Sequence, residues 1–232
     1  MKRILKKLIP ARYHYRLSLL LRPLRQKRNQ SSYSQFGEDI VLGALLPERE
    51  GTYVDVGAHH PERYSNTKLL FERGWHGVNI DPNPDTIKLF EKARPHDANI
   101  CMGIAQHDGE LTYYQFSDPA VNSLSLEEAN RWKGKDWIEY LGEKKIKVSP
   151  LSRVLSSLNL KRVDLLTVDA EGMDYEVLAS HDWQKYMPRV VVVEADDFDT
   201  EAPETNQVYA FMREKGFFLK EKCGPSLIFD RS

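Results

Sequence analysis

The sequence predicts a doubly wound α/β domain, with a mostly parallel sheet and helices on both faces. Three observations carry that prediction. Strand-like and helix-like runs alternate from residue 52 almost to the end of the chain, the pattern that lays crossover helices over a parallel sheet. Tyr53-Val54-Asp55-Val56-Gly57 joins a short strand to a glycine turn. Gly77-Val78-Asn79-Ile80-Asp81 is a second strand that ends in an acid 24 residues after Gly57, close to the ~20 expected of a ribose-binding carboxylate.

The elements follow in order. Ser34-Gln35-Phe36-Gly37-Glu38-Asp39 leads into a short helix with acids in its first turn, which complement the helix dipole. Pro47 to Gly51 is a loop before the Tyr53 strand. A helix is expected over Asn66 to Arg73 and another over Asp85 to Ala93, after the turn Pro82-Asn83-Pro84. Asn99 to Ala105 reads as the third strand and Leu111 to Phe116 as an added one. Residues 117–140 form a polar insertion with large aromatics, Trp132 and Trp137. It either covers an acceptor or is a surface excursion stapled down by its tryptophans. Lys145 to Val148 alternates like a strand, and a helix follows over Ser152 to Leu158. Val163 to Asp169 and Arg189 to Glu194 are strands ending in acids. Helices run through Val177, Leu178 and Ala179 and over Glu204 to Lys215, the latter closed by Gly216. Phe217 to Glu221 and Leu227 to Phe229 predict a C-terminal antiparallel hairpin.

The glycine turn lacks the G-x-G-x-x-G of a dinucleotide site: only Gly57 is present, followed by Ala58, His59, His60 and Pro61. A nucleoside ligand without phosphates tolerates that loss, and S-adenosylmethionine is such a ligand. Asp55 is then expected on its ammonium group and Asp81 on both ribose hydroxyls. The carboxyl end of the 99–105 strand, at Ala105, is expected to face the adenine.

Charge is unevenly distributed. Residues 1–30 hold ten basic residues and no acid, a basic amphipathic arm expected to be helical. The remaining 31–232 carry 23 basic against 34 acidic residues, a net of −11. That body is a poor nucleic-acid binder, because phosphate binding needs clustered Lys and Arg. The arm's apolar run, Leu17 to Leu21, is too short to span a bilayer. Packing on the domain or on a partner subunit of a homo-oligomer is the first role open to the arm; peripheral contact with an anionic membrane face is the second, and RNA contact the third. Cys101 and Cys223 lie in no metal or redox spacing and read as core thiols. A cytoplasmic protein, at most peripheral to the inner membrane face, is expected.

Four strands carry acids near their carboxyl ends: Asp55, Asp81, Asp169 and Glu194. In a doubly wound sheet these ends share one edge. With Asp55 and Asp81 assigned to the cofactor, the others belong to the acceptor. Glu171 or Asp169 is the first candidate for a general base, with His59 or His60 behind them. Asp169, Glu194 and Asp196 are candidate ligands for Mg²⁺, which prefers oxygen. The plain alternative for Glu171 is a charge at the start of the next helix.

These residues also resemble a family. Asp55-Val-Gly-Ala-His-His-Pro, Ser65-Asn66-Thr67, Gly74 to Asp81, Ser34 to Asp39, Asn122-Ser123 and Asp169-Ala-Glu171-Gly172 together resemble the FkbM-type S-adenosylmethionine-dependent methyltransferases. The likeness runs from about residue 33 to 230 and implies a Rossmann-like methyltransferase fold. It departs at Ala170, where the family often has a bulkier aliphatic residue, and in its sparse glycine loop. The expected cofactor contacts are Gln35, Asp55, Gly57, Ala58, His59, Asn66, Asp81, Pro82, Asn83 and Ala105. The resemblance implies O-methylation of a sugar in a glycan or glycosylated metabolite. Two other classes stay open: a methyltransferase-fold binding module without catalysis, and a sugar-nucleotide oxidoreductase.

Overall fold

In the computed structural model, residues 32–231 are described. The basic arm, with the expectations placed on it, lies outside them. In chain order the strands are β1 (Thr52–Val56), β2 (His76–Asp81), β3 (Ala98–Cys101), β4 (Gly103–Ile104), β5 (Gly109–Phe116), β6 (Tyr140–Ser149), β7 (Leu165–Val168), β8 (Val190–Glu194), β9 (Phe218–Cys223) and β10 (Ser226–Asp230). The helices are α1 (Glu38–Leu45), α2 (Lys68–Glu72), α3 (Pro84–Ala93), α4 (Leu126–Trp132), α5 (Leu151–Ser157), α6 (Asp174–Ala179) and α7 (Gln207–Glu214).

Seven strands make the main sheet, in the order β3-β2-β1-β7-β8-β10-β9. All pairs are parallel except those made by β10, which runs against β8 and β9. The predicted doubly wound sheet and its closing hairpin are therefore present. Period-2 alternation divides each central strand between two cores. Val54, Val56, Leu166, Val168, Val191 and Val193 pack on one face with α5, α6 and α7. Tyr53, Leu165, Val190 and Val192 pack on the other with Leu42, Leu46 and Leu70 of the α1–α2 side. No described helix is long and apolar enough to cross a membrane.

Three expectations change. The 99–105 strand is two strands: β3 ends at Cys101, and β4 crosses into a separate three-stranded sheet, β4-β6-β5. Gly103 permits the crossing, since a Cβ there would lie 2.8 Å from a Leu124 methyl. The insertion is not irregular. It contains α4, whose first turn is capped by the Ser125 hydroxyl accepting from Glu128 N–H, and it closes a small core of its own around Phe116, Ala129 and Ile138. The cysteines are not core thiols: Cys101 is exposed and Cys223 half-buried, because β3 and β9 are the two edges of the sheet.

Candidate active site

The strand order reverses between β1 and β7. A doubly wound sheet opens its ligand crevice there, outside the carboxyl ends of the strands. Gly57 follows β1 and Asp169 follows β7, and the two backbones touch. Gly57 has φ +78°, and a Cβ on it would lie 1.6 Å from the Asp169 carbonyl oxygen. The glycine is thus required by the junction of two strands.

A slot of about 90 Å³ runs from this junction along the end of β2. Ile80, Pro82, Met102, Ile104 and Leu124 give it apolar walls, and Asp81 and Gln35 give it polar ends. Asp81 is buried and accepts from His59 N–H (3.0 Å) and Asn83 N–H (2.7 Å). Each of its oxygens keeps a free lone pair. Burial pushes its pKa up to about 7, against those two backbone bonds, which lower it. A pair of hydroxyl donors fits this carboxylate. A nucleoside with apolar contacts on its base and an acid on its ribose therefore matches the lining. The slot is smaller than the ~300 Å³ at which small-molecule sites begin. His59 and Tyr64, both at positive φ with rings 6.2 Å apart, stand at its edge.

Gln35 reaches the slot because its loop is pinned from below. The Asp39 carboxylate accepts from the Ser32 and Ser34 hydroxyls and from Tyr33 N–H. Glu38 accepts from Phe36 N–H and the Ser226 hydroxyl. These acids are buried anchors as well as helix-start residues.

Asp55 is placed otherwise than expected. It does not line the slot; it is buried beneath it and accepts from the Thr67 hydroxyl at 2.7 Å. Thr67 in turn accepts from Arg94, which is fully buried and also donates to Tyr53, Asn79, Ser65 and the Pro61 carbonyl. Burial raises Asp55 to about 6, opposed by Thr67 and Arg94. This network fixes the loop that carries His59 and Tyr64. Nothing in the sequence pattern separates an acid that faces a ligand from one that faces a buried arginine 39 residues away. Asn66 donates to the Thr167 hydroxyl, and Ala58 and Ala105 are buried away from the slot. His60 accepts from Glu62 and Arg63 N–H and shapes the turn.

On the β7–β8 side, ligand oxygens of Asp169, Glu171 and Glu194 all lie within 4.8 Å of one another. Asp196 stands outside this group and borders an adjoining cavity. Among the described residues no Lys or Arg pairs with any of the three. Asp169 reaches solvent through the crevice, yet protein packed around it withdraws enough hydration to raise it to about 6. Loss of hydration and the neighbouring acids push Glu194 up to about 11 and Glu171 well above the usual range. A side-chain hydrogen bond with Glu194 lowers Asp169 against the effect of burial.

Glu171 sits at φ +49°, a left-handed conformation that costs a non-glycine residue ~1–3 kcal/mol and persists only where surroundings enforce it. Two residues do so. The Ser123 hydroxyl donates to the Glu171 carbonyl at 2.6 Å, and Asp174 accepts from Ala170 and Gly172 N–H. Asp174 and Tyr113, a buried aromatic lining the slot, are site residues the sequence reading missed. An acid at the first position of a helix was the available signal for Asp174; Tyr113 had none.

The fold and the slot define a nucleoside-binding doubly wound domain with a carboxylate cluster beside its ligand. The methyltransferase FkbM domain matches residues 55–219. The chain belongs to that family and is a methyltransferase, with S-adenosylmethionine as the implied cofactor. Among solved structures it is similar to a TehB-like SAM-dependent methyltransferase from Corynebacterium glutamicum, at 13% identity and a TM-score of 0.45, covering 94% of this chain and 97% of that one. No curated protein matches.

Proposed function

We propose that this methyltransferase methylates a hydroxyl of a sugar, in a glycan or a glycosylated metabolite. The observation that carries the reading is the Asp169–Glu171–Glu194 cluster, a group of close carboxyls with raised proton affinity beside the nucleoside slot. A hydroxyl is a weak nucleophile until its proton has an acceptor. The net charge of −11 over residues 31–232 speaks against a nucleic-acid acceptor.

Bound S-adenosylmethionine supplies an electrophilic methyl group on a positively charged sulfur. Asp81 holds the ribose and the apolar walls hold the adenine. Burial and the neighbouring acids raise all three carboxyls, and Asp169, the most solvent-open of them, lines the slot. Asp169 would take the proton of the acceptor hydroxyl as that oxygen receives the methyl group, with the cofactor's sulfur as the leaving group. Such a base contributes ~10²–10⁴ in rate; alignment of the reactants contributes up to ~7–11 kcal/mol.

The same carboxylates support a second reading, as a Mg²⁺ site. They offer oxygen ligands at close range and have no basic partner among the described residues. Asp169, Glu171 and Glu194 would hold the ion, whose chemistry is to make a coordinated hydroxyl more acidic.

The test is calorimetric titration with S-adenosylmethionine, run beside release of S-adenosylhomocysteine in the presence of sugars. Asp169→Asn and Glu171→Gln are expected to bind cofactor like the parent chain and to lose turnover about a hundredfold or more. Full turnover in both variants would refute the cluster's role. Cofactor binding by the parent chain with no transfer to any sugar would favour a binding module.

A further inference from the structure

A second cavity, about 330 Å³, opens on the far side of Glu171. Glu171 belongs to the walls of both cavities, and no other described residue does. The floor of the second cavity continues the cluster through Asp174 and Glu194. One wall is α4 of the insertion, presenting Ser125, Glu128 and Arg131. The opposite wall is the segment after β8, with Asp196 and Asp197, and the start of α7. Its volume falls in the range of small-molecule sites, whereas the slot is the smaller space and carries the ribose acid.

The lining has a one-sided charge. Among the described residues, eight carboxylic acids face it against one base, Arg131, and that arginine is already paired with Glu128 at 2.9 Å and Glu127 at 3.9 Å. Even a divalent cation on the cluster would leave the lining negative. An anionic acceptor meets repulsion on every wall, and like charges brought together across an interface are a strong means of rejection. Carboxylates accept hydrogen bonds from hydroxyl and ammonium groups alike.

We infer that this cavity is the acceptor subsite, walled by the insertion helix, and that it takes a polyhydroxylated molecule bearing a protonated amine. The inference rests on the proposed methyl transfer at Asp169 and Glu171, since it makes Glu171 the window between cofactor and acceptor. It excludes sugar phosphates, sugar nucleotides and sugar acids as acceptors.

The experiment titrates the full chain, saturated with S-adenosylhomocysteine, with three probes: a β-1,4-linked glucosamine disaccharide, its N-acetylated form and glucuronic acid. The free amine is expected to bind at least tenfold more tightly than the N-acetylated form, and the acid not at all. Asp196→Lys combined with Glu127→Lys, both exposed positions, is expected to abolish that preference and leave S-adenosylhomocysteine affinity unchanged. Equal binding of amine and amide, or tighter binding of the acid, overturns the charge selection. A preference that survives the double variant overturns the assignment to this cavity. Failure to bind S-adenosylhomocysteine would strike the cofactor reading instead, so the two failures are distinguishable.

Discussion

Asp55, Asp81 and Asp97, on the β1–β3 side of the crevice, are buried and surrounded by donors, whereas the clustered acids on the β7–β8 side are partly open and face one another. Asp55 has Thr67 and, behind it, Arg94. Asp97 has Tyr53, Asn79 and Gly77 N–H. Asp81 has two backbone amides. Across the switch point, Asp169, Glu171 and Glu194 face one another, and among the described residues no basic side chain pairs with them. The first arrangement builds a rigid platform, because a buried charge is tolerated when it is paired and hydrogen-bonded. The second keeps proton affinity high in a place where a substrate or cation can satisfy it. The difference separates acids satisfied by the protein's own donors from acids left open to a substrate or cation.

The largest test of that contrast is Arg94→Ala. It strips the platform of its central cation and is expected to cost roughly 3–5 kcal/mol of stability, because several buried polar groups lose their donor at once. Urea unfolding measures it, and a cost no greater than that of Glu171→Gln would erase the distinction. Asp81→Ala comes next. Removing a ribose acceptor that takes two hydroxyl donors is expected to weaken S-adenosylmethionine about a hundredfold by calorimetry. Unchanged affinity would remove Asp81 from the site.

The pH dependence of stability is a third, smaller effect. Burial raises Asp55 to about 6 and Asp81 and Asp174 to about 7. These groups keep protons in the folded chain that the unfolded chain has already released. Their stabilisation is therefore full below pH ~4 and is lost as pH rises towards 7, at about 1.4 kcal/mol per pH unit for each such group. Asp169 adds less, being open to solvent. Melting temperatures at pH 4.5 and 7.5 should show the decline, and Mg²⁺ should reduce it if the cluster holds the ion. A rise in stability over that range would contradict the burial of these acids. The smallest effect is expected from Ser123→Ala, which removes one hydrogen bond from the strained Glu171 backbone, worth about 1 kcal/mol. Turnover should fall several-fold with cofactor affinity intact. Equal loss of both would make Ser123 a general fold residue.

By itself the sequence determined the doubly wound class, the closing hairpin, the strand-end acids and their convergence on one edge. Strand positions along the chain and glycine turns follow from local periodicity and backbone sterics, which are written in short windows. It also marked Asp81 by distance from Gly57 alone. Only the tertiary structure decided which acids work. Asp55 and Asp169 follow equally strand-like runs, yet one meets Arg94 from α3's end and the other meets Glu171 and Glu194. Partners brought from 20 to 40 residues away set the dielectric and the hydrogen bonds of each carboxylate, and no local pattern encodes them. The same holds for the edge positions that expose the cysteines, for Gly103 turning the third strand into a second sheet, and for α4 forming a cavity wall. Each depends on what the chain packs against, and packing is a property of the assembled fold.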